Sequence, residues 1–300
     1  LSLYIKYRPK TFKDMVGNRD QIKSLETQFV ENRSHVFLFT GPSGCGKTTA
    51  ARICASMIGA VVEEYNSANN RGIDTAREII ESTKYKPLLK DKVVYIIDEA
   101  HKCTSDFWNA MLKPFEDVPD FVYYFICTTE EKKIPSAIQT RSKKYKFDFL
   151  SNAQIYKIIS KIIQSEKADI DEIVLEKISE NCMGSARKAI VLLEKVLGVE
   201  TKKALKIIEV GDEEDKEIID LCRGLLKGFS WSDCAKILKQ IKDKDVESVR
   251  YAVLGYMNSV LLSGKKDDSA AQVIYEFRKP FYNNGRAGLT LACFMSLFPE

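Results

Sequence analysis

The sequence has only two histidines, His35 and His101, and its eight cysteines (Cys45, Cys54, Cys103, Cys127, Cys182, Cys222, Cys234 and Cys293) stand singly, with no C-x-x-C pair. That spacing supplies neither the clustered ligands of a structural zinc site nor a disulfide framework. Reduced thiols in a soluble cytoplasmic protein are the expectation, or a nuclear one if the source is eukaryotic. No apolar run reaches the roughly 18–20 residues that cross a bilayer. Polar and charged residues also interrupt every apolar stretch of Leu1–Lys10, so neither a membrane partner nor a secretory signal is expected. Internal repeats and low-complexity tracts are missing too. Charge of one sign is scarce: 46 Lys+Arg stand against 42 Asp+Glu, a net +4. The surplus lies in residues 1–150, which hold 23 basic against 19 acidic side chains, so any polyanion is expected to be met there.

What remains is an ordinary globular balance, 45% hydrophobic and 29% charged over 300 residues, enough for two or three packed units rather than a disordered chain. In the first half, Val36–Thr40, Val61–Tyr65, Val93–Ile97 and Val122–Cys127 are short β-branched or aromatic runs that read as buried strands. Helix-like segments alternate with them, at Thr48–Met57, Asp74–Thr83 and Ser105–Phe115. Such alternation predicts an α/β fold with a parallel sheet covered on both faces. Beyond Phe149 the pattern is helical. Ser151-Asn-Ala-Gln154 has capping-box spacing, and Ile155, Ile158, Ile159, Ile162 and Ile163 follow with helical period. Further helices fit 171–181 and 185–197. An acidic stretch, Glu209 to Glu217, separates these from a last helical block. The expected units are 1–150, an α/β domain; 151–208, a small helical domain; and 209–300, all helical.

Gly41-Pro-Ser-Gly-Cys-Gly-Lys-Thr48 fits G-x-x-x-x-G-K-[ST] and falls between a predicted strand and helix. Glycines Gly41, Gly44 and Gly46 let the backbone turn so that N–H groups, including that of Cys45, point at phosphate oxygens, and the following helix start adds partial positive charge. Lys47 then reaches the β/γ-phosphates, the Thr48 hydroxyl serves Mg²⁺, and Thr49 lies beside them at the helix start. A chance glycine-rich turn is the plain alternative. Asp98-Glu99 ends the Val93 strand, where a carboxylate emerges at the sheet's phosphate-binding end. Asp98 is the candidate Mg²⁺ ligand and Glu99 the group that positions or activates water; a solvated turn is the alternative. His101 completes Asp-Glu-Ala-His, a string shared with some helicases. Those need a second nucleotide-binding domain, and no second alternating α/β pattern follows here. His101 reads as a local hydrogen-bonding residue rather than a catalytic base.

With these motifs in place, the chain resembles the AAA+ ATPase subunits of sliding-clamp loaders, which include bacterial tau/gamma subunits and the small subunits of replication factor C. The resemblance covers about residues 4–200. Tyr7-Arg8-Pro9 with Phe12-Lys-Asp-Met-Val16-Gly17 is similar to the family segment that packs beside adenine, and Asn66 to Arg77 matches a stretch typical of clamp loaders. Phe107–Lys113 with Phe115-Glu116 looks like the helix after the Mg²⁺ aspartate. Cys127-Thr-Thr129 occupies the first sensor, with Thr128 preferred over Thr129. Ile134 to Ser142 is similar to the segment bearing the arginine finger, Arg141, although Thr-Arg-Ser stands where Ser-Arg-Cys is usual. Gly184-Ser-Ala-Arg187 matches the second sensor, whose arginine reaches phosphate from a helical lid. The cysteine-rich zinc insertion of tau/gamma is missing, so the layout is closer to the compact loaders of viruses, archaea or eukaryotes.

The resemblance implies an AAA+ P-loop domain, a helical lid and a helical collar, with ATP and Mg²⁺ as cofactors. It further implies partner subunits in a ring or spiral, expected to be a pentamer, a sliding clamp, and primer–template DNA. Arg141 would act in trans on a neighbour's γ-phosphate; a surface ion pair is the alternative. By family position Arg71 and Arg77 are the candidate DNA contacts, with a solvated helix face an equal alternative. A protein-remodelling AAA+ motor and a DEAH-type helicase are the competing functions.

Overall fold

Every peptide of the central strands must find a partner on both sides, and the most apolar runs satisfy this by sitting mid-sheet. The structure, a computed structural model, describes residues 2–31, 34–88, 90–210, 213–244, 246–262, 267–281 and 284–299. Five parallel strands, β1 (Val36–Thr40), β2 (Val61–Asn66), β3 (Val93–Asp98), β4 (Val122–Thr128) and β5 (Lys143–Lys146), form one sheet in the order β2-β3-β4-β1-β5. β1 and β4 are buried along their whole length, and β3 except at Asp98. The expectation that Val61–Tyr65 is buried needs correction. β2 is an edge strand whose residues alternate half-buried and exposed, because it has a neighbour on one side only. β5, whose only buried residue is Tyr145, was not anticipated; its lysines face solvent along the other edge.

Side chains of alternate parity form the two faces. On one, Phe37, Phe39, Val94, Ile96, Phe125 and Cys127 pack with α2 (Arg19–Glu31) and α3 (Lys47–Met57), following α1 (Leu3–Lys6). Alanines 50, 51 and 55 are fully buried and let α3 lie close to the sheet. On the other face Leu38, Tyr95, Ile97, Tyr124 and Ile126 pack with α4 (Ile73–Ser82), α5 (Ser105–Glu116) and α6 (Ser136–Arg141). Phe107, Trp108 and Met111 are buried in this layer, so the apolar face of α5 is core. The Thr104 hydroxyl caps α5 by accepting the Phe107 N–H at 3.3 Å.

The capping box at Ser151–Gln154 is present: Ser151 N donates to Gln154 Oε1 at 3.0 Å and Gln154 N to Ser151 Oγ at 3.3 Å. It opens α7 (Asn152–Glu166), with Ile155, Ile159 and Ile162 buried. There follow α8 (Glu172–Asn181), α9 (Ala186–Val196), α10 (Thr201–Val210), α11 (Glu213–Lys227), α12 (Trp231–Gln240), α13 (Val246–Leu262), α14 (Asp268–Phe277) and α15 (Gly285–Leu297). The acidic stretch is therefore mostly helix rather than a spacer, with 211 and 212 outside the described residues.

Two compact units result: Leu1–Glu166 with Gly184–Glu194, and Lys167–Met183 with Lys195–Glu300. The second has its own core around Leu221, Val253, Met257, Val273 and Phe277. There the Arg250 Nε bonds Glu247 Oε2 at 2.7 Å and its guanidinium donates to the Phe277 carbonyl at 3.2 Å, joining α13 to α14. No helix among the described residues is long and apolar enough to cross a membrane.

Ile126 is fully buried in the middle of β4, whereas Val62 on β2 is 42% exposed. Urea unfolding should therefore show Ile126→Ala losing about 2–5 kcal/mol and Val62→Ala about 0.5 kcal/mol or less. Equal losses would contradict the assignment of centre and edge.

Candidate nucleotide site

The sheet order makes β3, β4 and β1 neighbours, so their C-terminal ends open side by side. Thr40 of β1 pairs in register with Thr128 of β4, and Ile126 of β4 with Ile97, one residue before Asp98. Between β1 and α3 the chain turns through Gly41 (φ +138), Gly44 (φ +76) and Gly46 (φ +104). A side chain at Gly41 would collide with the Phe147 carbonyl oxygen, and one at Gly44 with the Ser185 hydroxyl. Glycine is thus demanded by both the backbone angle and the space. The turn delivers the start of α3 to the open end of the sheet, the geometry that gathers phosphate.

Lys47 is 7% exposed, and its Nζ donates to the carbonyls of Gly41 and Pro42 at 2.8 and 2.7 Å. The ammonium is thereby held on the loop it would share with a phosphate. The Thr48 hydroxyl donates to Asp98 Oδ2 at 2.9 Å, while Asp98 Oδ1 accepts the Glu99 N–H at 2.9 Å. Thr49, half-buried, continues α3 beside them. Glu99 has left-handed backbone (φ 53), an uncommon state for a non-glycine residue. Thr128 is 1% exposed; its hydroxyl accepts the Glu130 N–H at 3.0 Å and lies 3.3 Å from His101 Nδ1. Thr129 lies 3.5 Å from the same nitrogen.

Hard oxygen donors from Thr48 and Asp98, already within 2.9 Å of one another, suit a cation such as Mg²⁺ that takes few protein ligands and keeps its waters. The donor set fits. Cys45 does not present its thiol to the loop: it is buried with Phe12, Met15 and Phe39, and burial pushes its pKa up. Only its backbone N–H is available for phosphate.

The N-terminal segment closes one side. Met15 is buried in the same cluster as Cys45, Val16 is half-buried, and Gly17 (φ +80) is buried against Leu150. Tyr7 donates to Glu166 Oε1 at 2.6 Å; that bond pushes the tyrosine pKa up. Pro9 is half-buried beside Arg8. Arg187 rises from α9 with its Cβ close to Gly44, and its guanidinium donates to the Tyr4 hydroxyl at 2.9 Å. Arg187 and Arg8 lie 4.9 and 4.8 Å from the Tyr4 ring centroid. Tyr4, absent from the expected site, thus gathers two of its arginines; its sequence signal was an aromatic one turn before Tyr7.

Three predicted residues stand apart from this set. Arg141, at the end of α6, bonds Glu116 through Nε at 2.9 Å and through its terminal nitrogen, and donates to the Ala137 carbonyl at 2.7 Å. Arg77 pairs with Asp74 at 3.3 Å and is exposed. Arg71 is exposed just before α4, its carbonyl accepting the Thr104 N–H at 2.9 Å.

Residues 2–91 match a family model for the Rad17 P-loop domain, and residues 60–151 one for the DNA polymerase III delta subunit. The DNA polymerase III subunit tau of Bacillus subtilis (strain 168) is 30% identical over 303 aligned residues, covering 92% of this chain and 51% of that protein. The gamma subunit of Buchnera aphidicola is 30% identical over 219 residues, covering 65% of this chain and 61% of that one. The chain thus spans about half the length of the tau subunit it matches. Among solved structures, the RuvB Holliday junction branch migration motor of Thermotoga maritima superposes with a TM-score of 0.60 at 21% identity, over 74% of this chain and 80% of that one, which establishes a shared fold.

Titration with a fluorescent ATP analogue should show Gly44→Ala weakening affinity about tenfold or more, since an alanine there meets both a left-handed backbone and Ser185. Gly228→Ala, at φ +65 in open space, should leave affinity unchanged. Equal effects would contradict the loop's role.

Proposed function

We propose that this chain, which belongs to the AAA+ P-loop family that includes the tau and gamma subunits of DNA polymerase III, is the ATP-hydrolysing subunit of a clamp loader that opens a sliding clamp and places it on primer–template DNA. The observation that carries the reading is the joining of the Thr48 hydroxyl to Asp98 at 2.9 Å, with Glu99 and Thr128 beside them. It is supported by the 30% identity to tau across 92% of the chain.

In this reading the N–H groups of Gly41–Thr48 and the start of α3 hold the phosphates. Lys47 exchanges two carbonyl contacts for the β/γ-phosphates, a charge-assisted and hence stronger interaction. Thr48 and Asp98 would hold Mg²⁺, which when bound neutralises charge on the transferring phosphoryl group. Glu99 orients the attacking water and takes up its proton, and Thr128 fixes that water relative to the phosphate. Tyr7-Arg8-Pro9 with Val16-Gly17 borders the base. Arg187, whose Cβ lies close to Gly44, would turn to the phosphates on leaving Tyr4. Residues 151–208 act as the lid and 209–300 as the collar that gathers subunits, five in our reading, in the cytoplasm at replicating DNA. Arg71 and Arg77, exposed around the start of α4, track the DNA backbone.

Arg141 acts in trans on a neighbouring subunit's nucleotide. Its bond to Glu116 joins side chains that are 33% and 48% exposed, and such a pair is worth about 0–1 kcal/mol, so it releases at little cost. An arginine finger is worth about 10³–10⁵ in rate. Steady-state turnover of the complex assembled with clamp and primed DNA should fall about 10³-fold in Arg141→Ala, with ATP affinity preserved. Unchanged turnover, or a loss of affinity alone, would remove Arg141 from the mechanism.

A further inference from the structure

The short helix α1 is held by two carboxylates that no sequence motif singles out. Glu166, the last residue of α7, accepts both the Lys6 ammonium and the Tyr7 hydroxyl on one oxygen, each at 2.6 Å. The Lys6 ammonium also lies 5.3 Å from the Tyr7 ring centroid, so ammonium, ring and carboxylate interlock. Glu194, near the end of α9, takes the other end of α1: the Ser2 hydroxyl at 2.9 Å and the Leu3 N–H at 3.1 Å. A helix of four residues has no stability of its own, so these contacts and the burial of Leu3 decide where α1 lies. Tyr7 ends it, its N–H donating to the Leu3 carbonyl at 2.9 Å. With that backbone bond and the hydroxyl bond to Glu166, the tyrosine is fixed at both ends. The bonds from Lys6 and Tyr7 hold the Glu166 carboxyl below its usual range, so it stays ionised and acceptor-only at neutral pH.

We propose that Glu166 is a positioning residue for the base site: it sets the Tyr7 side chain in the wall that meets adenine, and so contributes affinity for the base by acting through Tyr7. The proposal rests on the reading of Tyr7-Arg8-Pro9 with Val16-Gly17 as that wall. The same segment runs on to the phosphate loop. Phe12 and Met15 are buried with Cys45, and Met15 Cε lies 3.0 Å from where a side chain at Gly46 would begin. The gain is preorganisation, since an aromatic side chain already fixed gives up no freedom when a base packs on it. The hydroxyl bond is strong for its kind because its acceptor is ionised. Phosphate, in contrast, is met by the Gly41–Thr48 loop, which makes none of these contacts. Loss of Glu166 therefore acts on ligands that carry a base and spares those that carry phosphate alone, a separation that general destabilisation would not produce.

Variants of the full chain test this by displacement of a ribose-labelled fluorescent ATP analogue with two competitors, ATP and inorganic triphosphate. Glu166→Ala should weaken ATP about tenfold, the scale of one hydrogen bond to a charged group, and leave inorganic triphosphate unchanged. The melting temperature should stay near wild type, because the Lys6–Glu166 pair, with side chains 51% and 24% exposed, is a surface contact. Glu166→Gln keeps an acceptor oxygen for Tyr7 and should recover most of the ATP affinity. Tyr7→Phe keeps the ring and removes the hydroxyl; placing Glu166→Ala on it should cost little further, the non-additivity of residues that act as one unit. Unchanged ATP affinity in Glu166→Ala, equal losses for the two competitors, no recovery in Glu166→Gln, or full additivity with Tyr7→Phe would overturn the proposal. Tyr7→Leu tests the wall itself. A loss of ATP affinity there with none in Glu166→Ala removes Glu166 alone, whereas unchanged ATP affinity in Tyr7→Leu would overturn both readings.

Discussion

The hydrogen bond from Thr48 to Asp98, 2.9 Å between residues fifty apart in sequence, is the constraint on which the site depends. It exists because β1 pairs with β4 and β4 with β3, so the loop leaving β1 and the carboxylate ending β3 meet at the C-terminal end of the strands. Had the connections placed β2 between them, the two oxygens would be separated by another strand, about 5 Å of sheet. The glycine turn is the second half of the same constraint. Gly41 and Gly44 admit no side chain, and that closeness brings the start of α3, with Thr48, up to Asp98.

Around this fixed pair, three cations of the candidate site each rest on a partner of their own chain. Lys47 sits on two carbonyls, Arg187 on Tyr4 and Arg141 on Glu116. These contacts are modest: neutral hydrogen bonds are worth about 0.5–1.5 kcal/mol and exposed ion pairs about 0–1 kcal/mol. A rate factor of 10³ corresponds to about 4 kcal/mol in the transition state. On the proposed reading phosphate charge would outcompete the resting partners, which in this structure hold the cations. The anionic side is arranged likewise. Asp98 has both oxygens occupied, and Glu99 shares the edge of His101 with Glu130.

Much of this was legible in the sequence because the signals were local. The glycine loop, the Asp98-Glu99 strand end and the runs of β1, β3 and β4 each lie within about ten residues, and the capping box at Ser151 needed only four. What escaped depends on neighbours distant in sequence. Val61–Tyr65 has the composition of a buried strand yet lies at an edge, which only strand order decides. Lys143–Lys146 holds one apolar residue, Tyr145, because an edge strand buries little. Cys45 stands inside the loop motif, but Phe12 and Met15 from the N-terminal segment help bury its side chain. Tyr4 meets Arg187 across 183 residues, and His101 meets Thr128 across 27; no periodicity announces such pairs. His101 reads in sequence as a local hydrogen-bonding residue, whereas its ring faces Thr128 and Thr129, 27 and 28 residues away.

The account stands or falls on assembly around ATP. Native mass spectrometry of the tagged protein, recovered from its own source with a slowly hydrolysed ATP analogue, tests this most directly. The account predicts a five-subunit complex that carries nucleotide and retains a ring-shaped clamp partner. A hexamer without a clamp, or a monomer that binds nucleotide but no other subunit, would contradict it.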